Sequence, residues 1–186
     1  RLDQPKQWKK PSMVFVNSMS DLFHEKMPFE FLTSIFSVME ECTHHTFQVL
    51  TKRHERLVEL APSLRWPKNV WMGVSVENQK YAERVDYLRK VPAAVRFLFC
   101  EPLLGPLHLD LSGIHWVITG GESGPKRRPV EVEWVRDIRD QCIASGVPFF
   151  HKQWGGRNPK SKGRELDGRT YDEMPSANSY ELEMAF

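Results

Sequence analysis

The amino-acid sequence predicts an α/β fold, either an open parallel sheet or a partial (β/α) barrel, on three observations. Six apolar runs rich in Val, Ile, Phe and Trp recur along the 186 residues. Most are near-continuous rather than strictly alternating, which is the pattern of strands covered on both faces. Segments with apolar residues at helical spacing fall between them, and strand–helix alternation dictates a parallel sheet with right-handed crossovers. Eight such units closed in a ring take about 250 residues. This chain shows six, so it is an open sheet or a barrel missing a piece.

The strand segments, in order, are MVFVNS from Met13, TFQVLTK from Thr46, VWMGVSV from Val70, VRFLFCEP from Val95, IHWVITGG from Ile114 and PFFHKQW from Pro148. A helix is predicted over 29–42, where Phe31, Leu32, Ile35, Phe36 and Met39 share a face. A second, short one over 54–60 is stopped by Pro62. The stripe Tyr81, Val85, Leu88 predicts a helix over 78–90 with Asn78 as its cap. Trp134, Ile138 and Cys142 mark a last helix over 131–145, with Glu131 and Glu133 in its first turn and Gly146 as its stop. The stretch LLGPLHLDLSG leaves room for one turn at most. Residues 1–156 read as the barrel domain and 157–186 as a polar extension, rich in Gly and charge, that packs on it or trails from it.

Composition narrows the function classes. Hydrophobic residues at 40% and charged residues at 27% are ordinary for a globular protein that is not membrane-bound. A net charge of +2 gives no global field for nucleic acid, so any such role needs a local patch. Cys42, Cys100 and Cys142 are odd in number and far apart, which argues against a disulfide framework or a zinc site and predicts a reducing cytoplasm. No run approaches a membrane span, and no signal peptide is visible. The chain opens on Arg1 with a strand a dozen residues later, which reads as a processed protein or a piece of a longer one.

Ligands in parallel α/β folds sit at the carboxyl ends of the strands, where loops and helix N-termini converge. Each run here delivers polar groups at that end: Asn17, Ser18, Ser20, Asp21 and His24; Thr51, Lys52 and Arg53; Ser75, Glu77 and Asn78; Cys100 and Glu101; Gly120, Gly121, Glu122 and Ser123; Lys152, Gln153 and Trp154. A small-molecule site along this edge follows, with Lys52, Glu101, Glu122 and Lys152 as catalytic candidates. Capping is the plain alternative for Asp21 and for Glu77 with Asn78. Glu101, straight after FLFC, needs a partner if buried. His44 and His45 read as surface, Cys100 as a core thiol, and His24 and His151 lack metal-ligand spacing.

The stretch VITGGESGPKRR is neither a Walker loop nor a GxGxxG fingerprint. Its two glycines allow a sharp turn that exposes Glu122. Lys126, Arg127 and Arg128 then form a basic cluster, either a solvated tip or a contact for nucleotide or nucleic-acid phosphate.

The blocks FVNSMSDLFH, FQVLTKR, GVSVEN, FLFCEPLLGPL, WVITGGESG and GVPFFHKQWGG, taken in order, resemble an uncharacterised family of bacteriophage and prophage proteins, gene products thirty-seven and sixty-eight. That family is radical SAM-like and distantly similar to spore photoproduct lyase. The resemblance implies a partial (β/α) barrel of the radical SAM type whose first βα unit is missing here. It also implies a [4Fe–4S] cluster and S-adenosylmethionine as cofactors of the full-length protein, with Ser18, Ser20 and Asp21 toward the methionine end, Ser75 and Glu77 toward the ribose, and Asn17 as a further cofactor-binding residue. The family's cysteine cluster lies ahead of the first of these blocks. Cys42, Cys100 and Cys142, separated by 58 and 42 residues, do not make a cluster loop. The family's Gly-Gly-Glu belongs after the second strand, so Gly120-Gly121-Glu122 is a look-alike.

The leading expectation is the barrel portion of a radical SAM-like enzyme acting on a nucleotide or nucleic acid. A module that binds nucleic acid or a protein partner without a cluster is the rival. A cluster-free lyase using Lys52 or Lys152 as a Schiff-base amine is the third reading.

Overall fold

The structure, a computed structural model, describes residues 2–158 and 161–176. Six parallel strands lie in sequence order: β1 (Met13–Val16), β2 (Thr46–Thr51), β3 (Val70–Ser75), β4 (Val95–Cys100), β5 (Trp116–Gly120) and β6 (Phe149–Gln153). Each pairs only with its sequence neighbours, which makes the curled sheet a half-barrel. The six segments read from the sequence are these strands, trimmed by one to three residues at their ends.

Helices α1 (Phe29–Glu41), α2 (His54–Leu60), α3 (Arg84–Leu88) and α4 (Val132–Ser145) cover the outer face. Their apolar stripes (Leu32, Phe36 and Met39; Leu57; Val85 and Leu88; Val135, Ile138 and Cys142) close one core with Phe47, Val49, Met72, Val74, Leu98, Val117 and Phe149 of the sheet. Gly146 ends α4 at φ +66°, a left-handed residue that glycine takes without steric cost. Between β4 and β5 no helix forms. Pro102 and Pro106 interrupt the chain, yet Leu103, Leu107 and Leu111 are buried in the outer core where a helix stripe would lie.

The predicted helix over 78–90 is broken. Asn78 caps a 3-10 turn, Gln79–Tyr81, by accepting from the Lys80 amide at 3.1 Å, and α3 begins only at Arg84. At that break Arg84 turns inward, donating to the Ser75 carbonyl at 2.7 Å and pairing with Glu77 at 3.0 Å. His45 corrects its surface reading, being 1% exposed. Its Nδ1 accepts from the Ser12 amide at 3.1 Å and its Nε2 lies 3.1 Å from the Pro5 carbonyl oxygen, tying the N-terminal segment to the start of β2.

The inner face of the sheet is a second, largely aromatic surface: Trp71, Val95, Phe97, Trp116 and Ile118, flanked by Leu50, Phe99 and Phe150. Register explains the grouping, because Phe97 stands beside Gly73 and Trp116, and Phe99 beside Ser75 and Ile118. A Cβ on Gly73 would lie 2.4 Å from the Phe97 ring, so this strand centre has room for hydrogen only.

Residues 161–176 pack on the barrel. Asp172 bridges Phe150 in antiparallel fashion, the Tyr171 carbonyl accepts from the His151 amide at 3.1 Å, and the Glu173 carbonyl accepts from Trp116 Nε1 at 2.8 Å. The rest of the predicted extension, apart from 157–158, lies outside the described residues.

Candidate functional site at the strand ends

The open inner face of the half-barrel forms a cavity of about 710 Å³. Its floor and walls are Phe15, Leu50, Phe99, Trp116, Ile118 and Phe150, and Ser18, Glu101 and Lys152 stand on its lining too. Residues two apart on a strand share a face, so Phe150 on the floor places Lys152 above it on the same side. Lys152 Nζ meets Glu101 Oε2 at 2.8 Å and lies 5.2 Å from the centre of the Phe99 ring. Gln153 Nε2 donates to the other Glu101 oxygen at 2.7 Å. The partner that Glu101 needs is therefore present, and the side chain is 11% exposed against 46% for Lys152. Gly120 makes room for it: a Cβ there would approach Glu101 Cδ to 2.8 Å.

A second group joins the ends of β1, β2 and β3. Asp21 Oδ1 accepts from the Phe23 amide at 2.9 Å and from Thr51 Oγ1 at 2.7 Å, while Oδ2 accepts from the Lys52 amide at 3.1 Å. Lys52 in turn pairs with Glu77, whose other oxygen takes Arg84, so both oxygens of this buried carboxylate are engaged. Ser75 is buried beside them and contributes its carbonyl to Arg84. The arrangement clamps three strand ends together. It also places a partly exposed ammonium, Lys52, at their rim.

Glu122 goes elsewhere. Arg128 grips it with Nε at 3.0 Å and Nη2 at 2.9 Å, and the Arg128 amide adds a bond at 2.7 Å. These bonds hold the Glu122 carboxyl down at about 2, far below its ordinary value. Glu122, Arg127 and Arg128 line a separate cavity of about 360 Å³ with Trp154 and Lys162, whereas Lys126 is exposed outside its lining.

Of the residues that the resemblance assigns to a cofactor, Ser18 lines the inner cavity. Asn17 and Ser20 line a neighbouring apolar groove between β1 and α1. Asp21, Ser75 and Glu77 belong to the clamp. The cysteines do not fit an iron–sulfur cluster. All three are buried in the outer core on different elements, and burial raises every thiol above its ordinary value, Cys142 to about 12. Among the described residues no three His, Cys, Asp or Glu side chains are grouped as metal ligands. His151 is fully buried, with Nδ1 at 2.9 Å from Thr119 Oγ1, and its Nε2 has no partner among the described residues. Burial first, and the charge of Arg164 second, lower its titration to about 4.

The inner floor was missed by sequence reasoning, as were Arg84 and Lys162. A signal for the floor exists in the alternation of aromatic with aliphatic residues, as in Val95-Arg96-Phe97-Leu98-Phe99 and Trp116-Val117-Ile118, but with both faces apolar it does not separate inside from outside.

Fold and site together define a half-barrel α/β protein with a cavity on its inner face and charged groups at the carboxyl ends of its strands. The chain belongs to the family described as Protein of unknown function (DUF5131), whose profile matches residues 1–175. Comparison with curated proteins and with solved structures returns no match. Among the described residues no helix is long and apolar enough to cross a membrane.

Proposed function

We propose that this chain is the substrate-holding barrel portion of a radical SAM-like enzyme of phage or prophage kind, acting in the cytoplasm on a nucleotide or nucleic acid. The inner cavity carries the reading. An aromatic floor suits a planar base, and the Lys152–Glu101 pair at its upper rim supplies one donor and one acceptor group for orientation. A volume of about 710 Å³ lies within the range of small-molecule sites. The chain's own residues contribute binding, orientation and exclusion of water. The cluster, on this reading, is held by residues other than Cys42, Cys100 and Cys142, and no chemical step is assigned to them.

Ligand binding on the inner face is read by the part of the intrinsic tryptophan fluorescence change that is lost in Trp116→Phe, on titration with S-adenosylmethionine, a mononucleotide and a short single-stranded oligonucleotide. Quenching that weakens about tenfold in Glu101→Gln and in Lys152→Met supports the reading. Unchanged binding in both variants removes the inner face from the account. For the redox part, the full-length gene product is reconstituted anaerobically with iron and sulfide. Failure of a loaded sample to cleave S-adenosylmethionine reductively overturns the radical reading.

The rival is a module that binds nucleic acid or a protein partner without redox chemistry. Binding without cleavage in the experiment above identifies it. The lyase reading requires a desolvated amine, and Lys52 and Lys152 are instead ion-paired and about half exposed, at 54% and 46%.

A further inference from the structure

We infer that the cavity behind the loop 122–130 is a phosphate-binding pocket sized for a single nucleotide unit, free or within a strand. Three cations line it, Arg127, Arg128 and Lys162, against one carboxylate, Glu122. Glu122 spends both oxygens on Arg128, fixing that guanidinium at the cavity wall and cancelling its charge. Arg127 meets only the Gly124 carbonyl, at 3.4 Å, and Lys162 has no hydrogen bond or ion pair among the described residues. Two positive charges without a carboxylate partner among the described residues therefore line the same space. Both are exposed, so their mutual repulsion is screened by water, and a guanidinium and an ammonium lining one cavity suit the oxygens of a phosphate.

The remaining walls are apolar: Trp154, Pro129, Val130 and Val132. The indole is held in place, since Trp154 Nε1 donates to the Glu165 carbonyl at 2.7 Å and its ring packs on His151 with centroids 4.4 Å apart. An anchored aromatic wall beside two cations matches a ligand with a charged end and a flat apolar end, which is the make-up of a nucleotide. At about 360 Å³ the space takes one such unit and not a folded duplex.

The loop geometry serves the pocket. Gly121 allows the turn: a Cβ on it would collide with the Trp154 carbonyl at 2.3 Å and with Val130 at 2.9 Å. Gly155 and Gly156 lock the other side, with the Gly156 amide donating to the Glu122 carbonyl at 3.2 Å and the Gly124 amide to the Gly156 carbonyl at 2.8 Å. Two loops, after β5 and β6, are thus stitched together around the cations. The inference shares the nucleotide chemistry proposed for the inner face but rests on a different cavity, and it holds whatever reaction occurs there.

The test measures binding of inorganic phosphate, adenosine 5′-monophosphate and a ten-residue single-stranded oligonucleotide to the protein, by calorimetry and by Trp154 fluorescence. The Arg127→Gln/Lys162→Gln double variant is expected to weaken the mononucleotide and the oligonucleotide about tenfold or more, and to flatten the oligonucleotide's salt dependence by about one to two units of slope. Lys126→Gln, a charge of the same loop outside the cavity, is expected to stay within about twofold. Tighter binding of the oligonucleotide than of the mononucleotide assigns the pocket to a strand, and equal binding assigns it to a free nucleotide. Equal losses in Lys126→Gln and the double variant mean diffuse attraction and overturn the pocket, as does wild-type affinity in the double variant. A Trp154→Leu variant with an unchanged thermal transition that keeps full mononucleotide affinity removes the base-stacking wall. Failure at Glu101 and Lys152 with success here, or the reverse, separates this inference from the reading of the inner face.

Discussion

His151 shows how a single buried residue can tie stability to pH. The folded protein holds its imidazole neutral down to about 4, against an ordinary value of 6.5, because burial penalises the charge and Arg164 repels it. Between those values the unfolded chain binds more protons. The contribution is complete above pH 6.5 and drains away as pH falls toward 4, by about 3 kcal/mol in all at about 1.4 kcal/mol per unit. Urea unfolding at pH 7, 5.5 and 4 is expected to show this decline, and His151→Gln to reduce its slope by close to one proton. Gly120 makes a second residue-scale case. Gly120→Ala forces Glu101 aside, since the new Cβ would sit 2.8 Å from its Cδ. Stability is expected to fall by about 1–3 kcal/mol, as for overpacked sites. Ligand affinity on the inner face is expected to fall with it, and denaturant melts beside a Trp116 titration measure the two together.

Among the elements, α4 follows its sequence pattern closely and α3 does not. Of the predicted stripe Trp134, Ile138, Cys142, the last two are 0% exposed, while Val135 takes the deep place beside a Trp134 that is only partly buried. Truncating Ile138 to Ala is expected to cost about 2–5 kcal/mol, read as a lowered urea midpoint with an unchanged slope. The predicted stripe Tyr81, Val85, Leu88 does bury Val85 and Leu88, but Arg84, just ahead of Val85, is pulled to Ser75 and Glu77 and the helix is cut to Arg84–Leu88. A buried ion pair with Glu77, on the loop just ahead of the helix, overrides propensity there and is invisible to the 3.6-residue periodicity. The same limit applies to His45, whose partners Pro5 and Ser12 lie on the N-terminal segment. The short Leu-rich stretch before β5 is read correctly as non-helical, although its leucines fill a helix's place in the core.

At the scale of the whole molecule, residues 161–176 of the polar extension pack on the barrel. Leu166 and Tyr171 are buried, Met174 lines the inner cavity, and the Glu173 carbonyl caps Trp116 Nε1. Asp167 gathers Arg136 and Arg139 of α4 and is held at about 2 by them. Removing residues 157–186 is expected to lower the thermal midpoint, to expose Phe149 and Trp116 to solvent, and to red-shift tryptophan emission. A truncated protein that melts like the full chain would show 161–176 to be a passive appendage. Parallel pairing throughout also makes nearly every strand contact long-range, so folding is expected to be slow for the chain's size.

Strand number, parallel topology, three of the four outer helices and the edge where charged groups gather were readable from the sequence alone, because those features follow from local periodicity and from the rule that strand ends face one way. Glu101's need for a partner was readable as well, since a carboxylate after FLFC cannot be left unpaired. Tertiary structure alone decided which carboxylates share a cavity. Glu77 is consumed in a clamp with Lys52 and Arg84, Glu122 is bound to Arg128, and Glu101 meets Lys152 over an aromatic floor. Sheet curvature decided that floor. When both faces of every strand are apolar, only the bending of the sheet determines which face meets helices and which encloses open space.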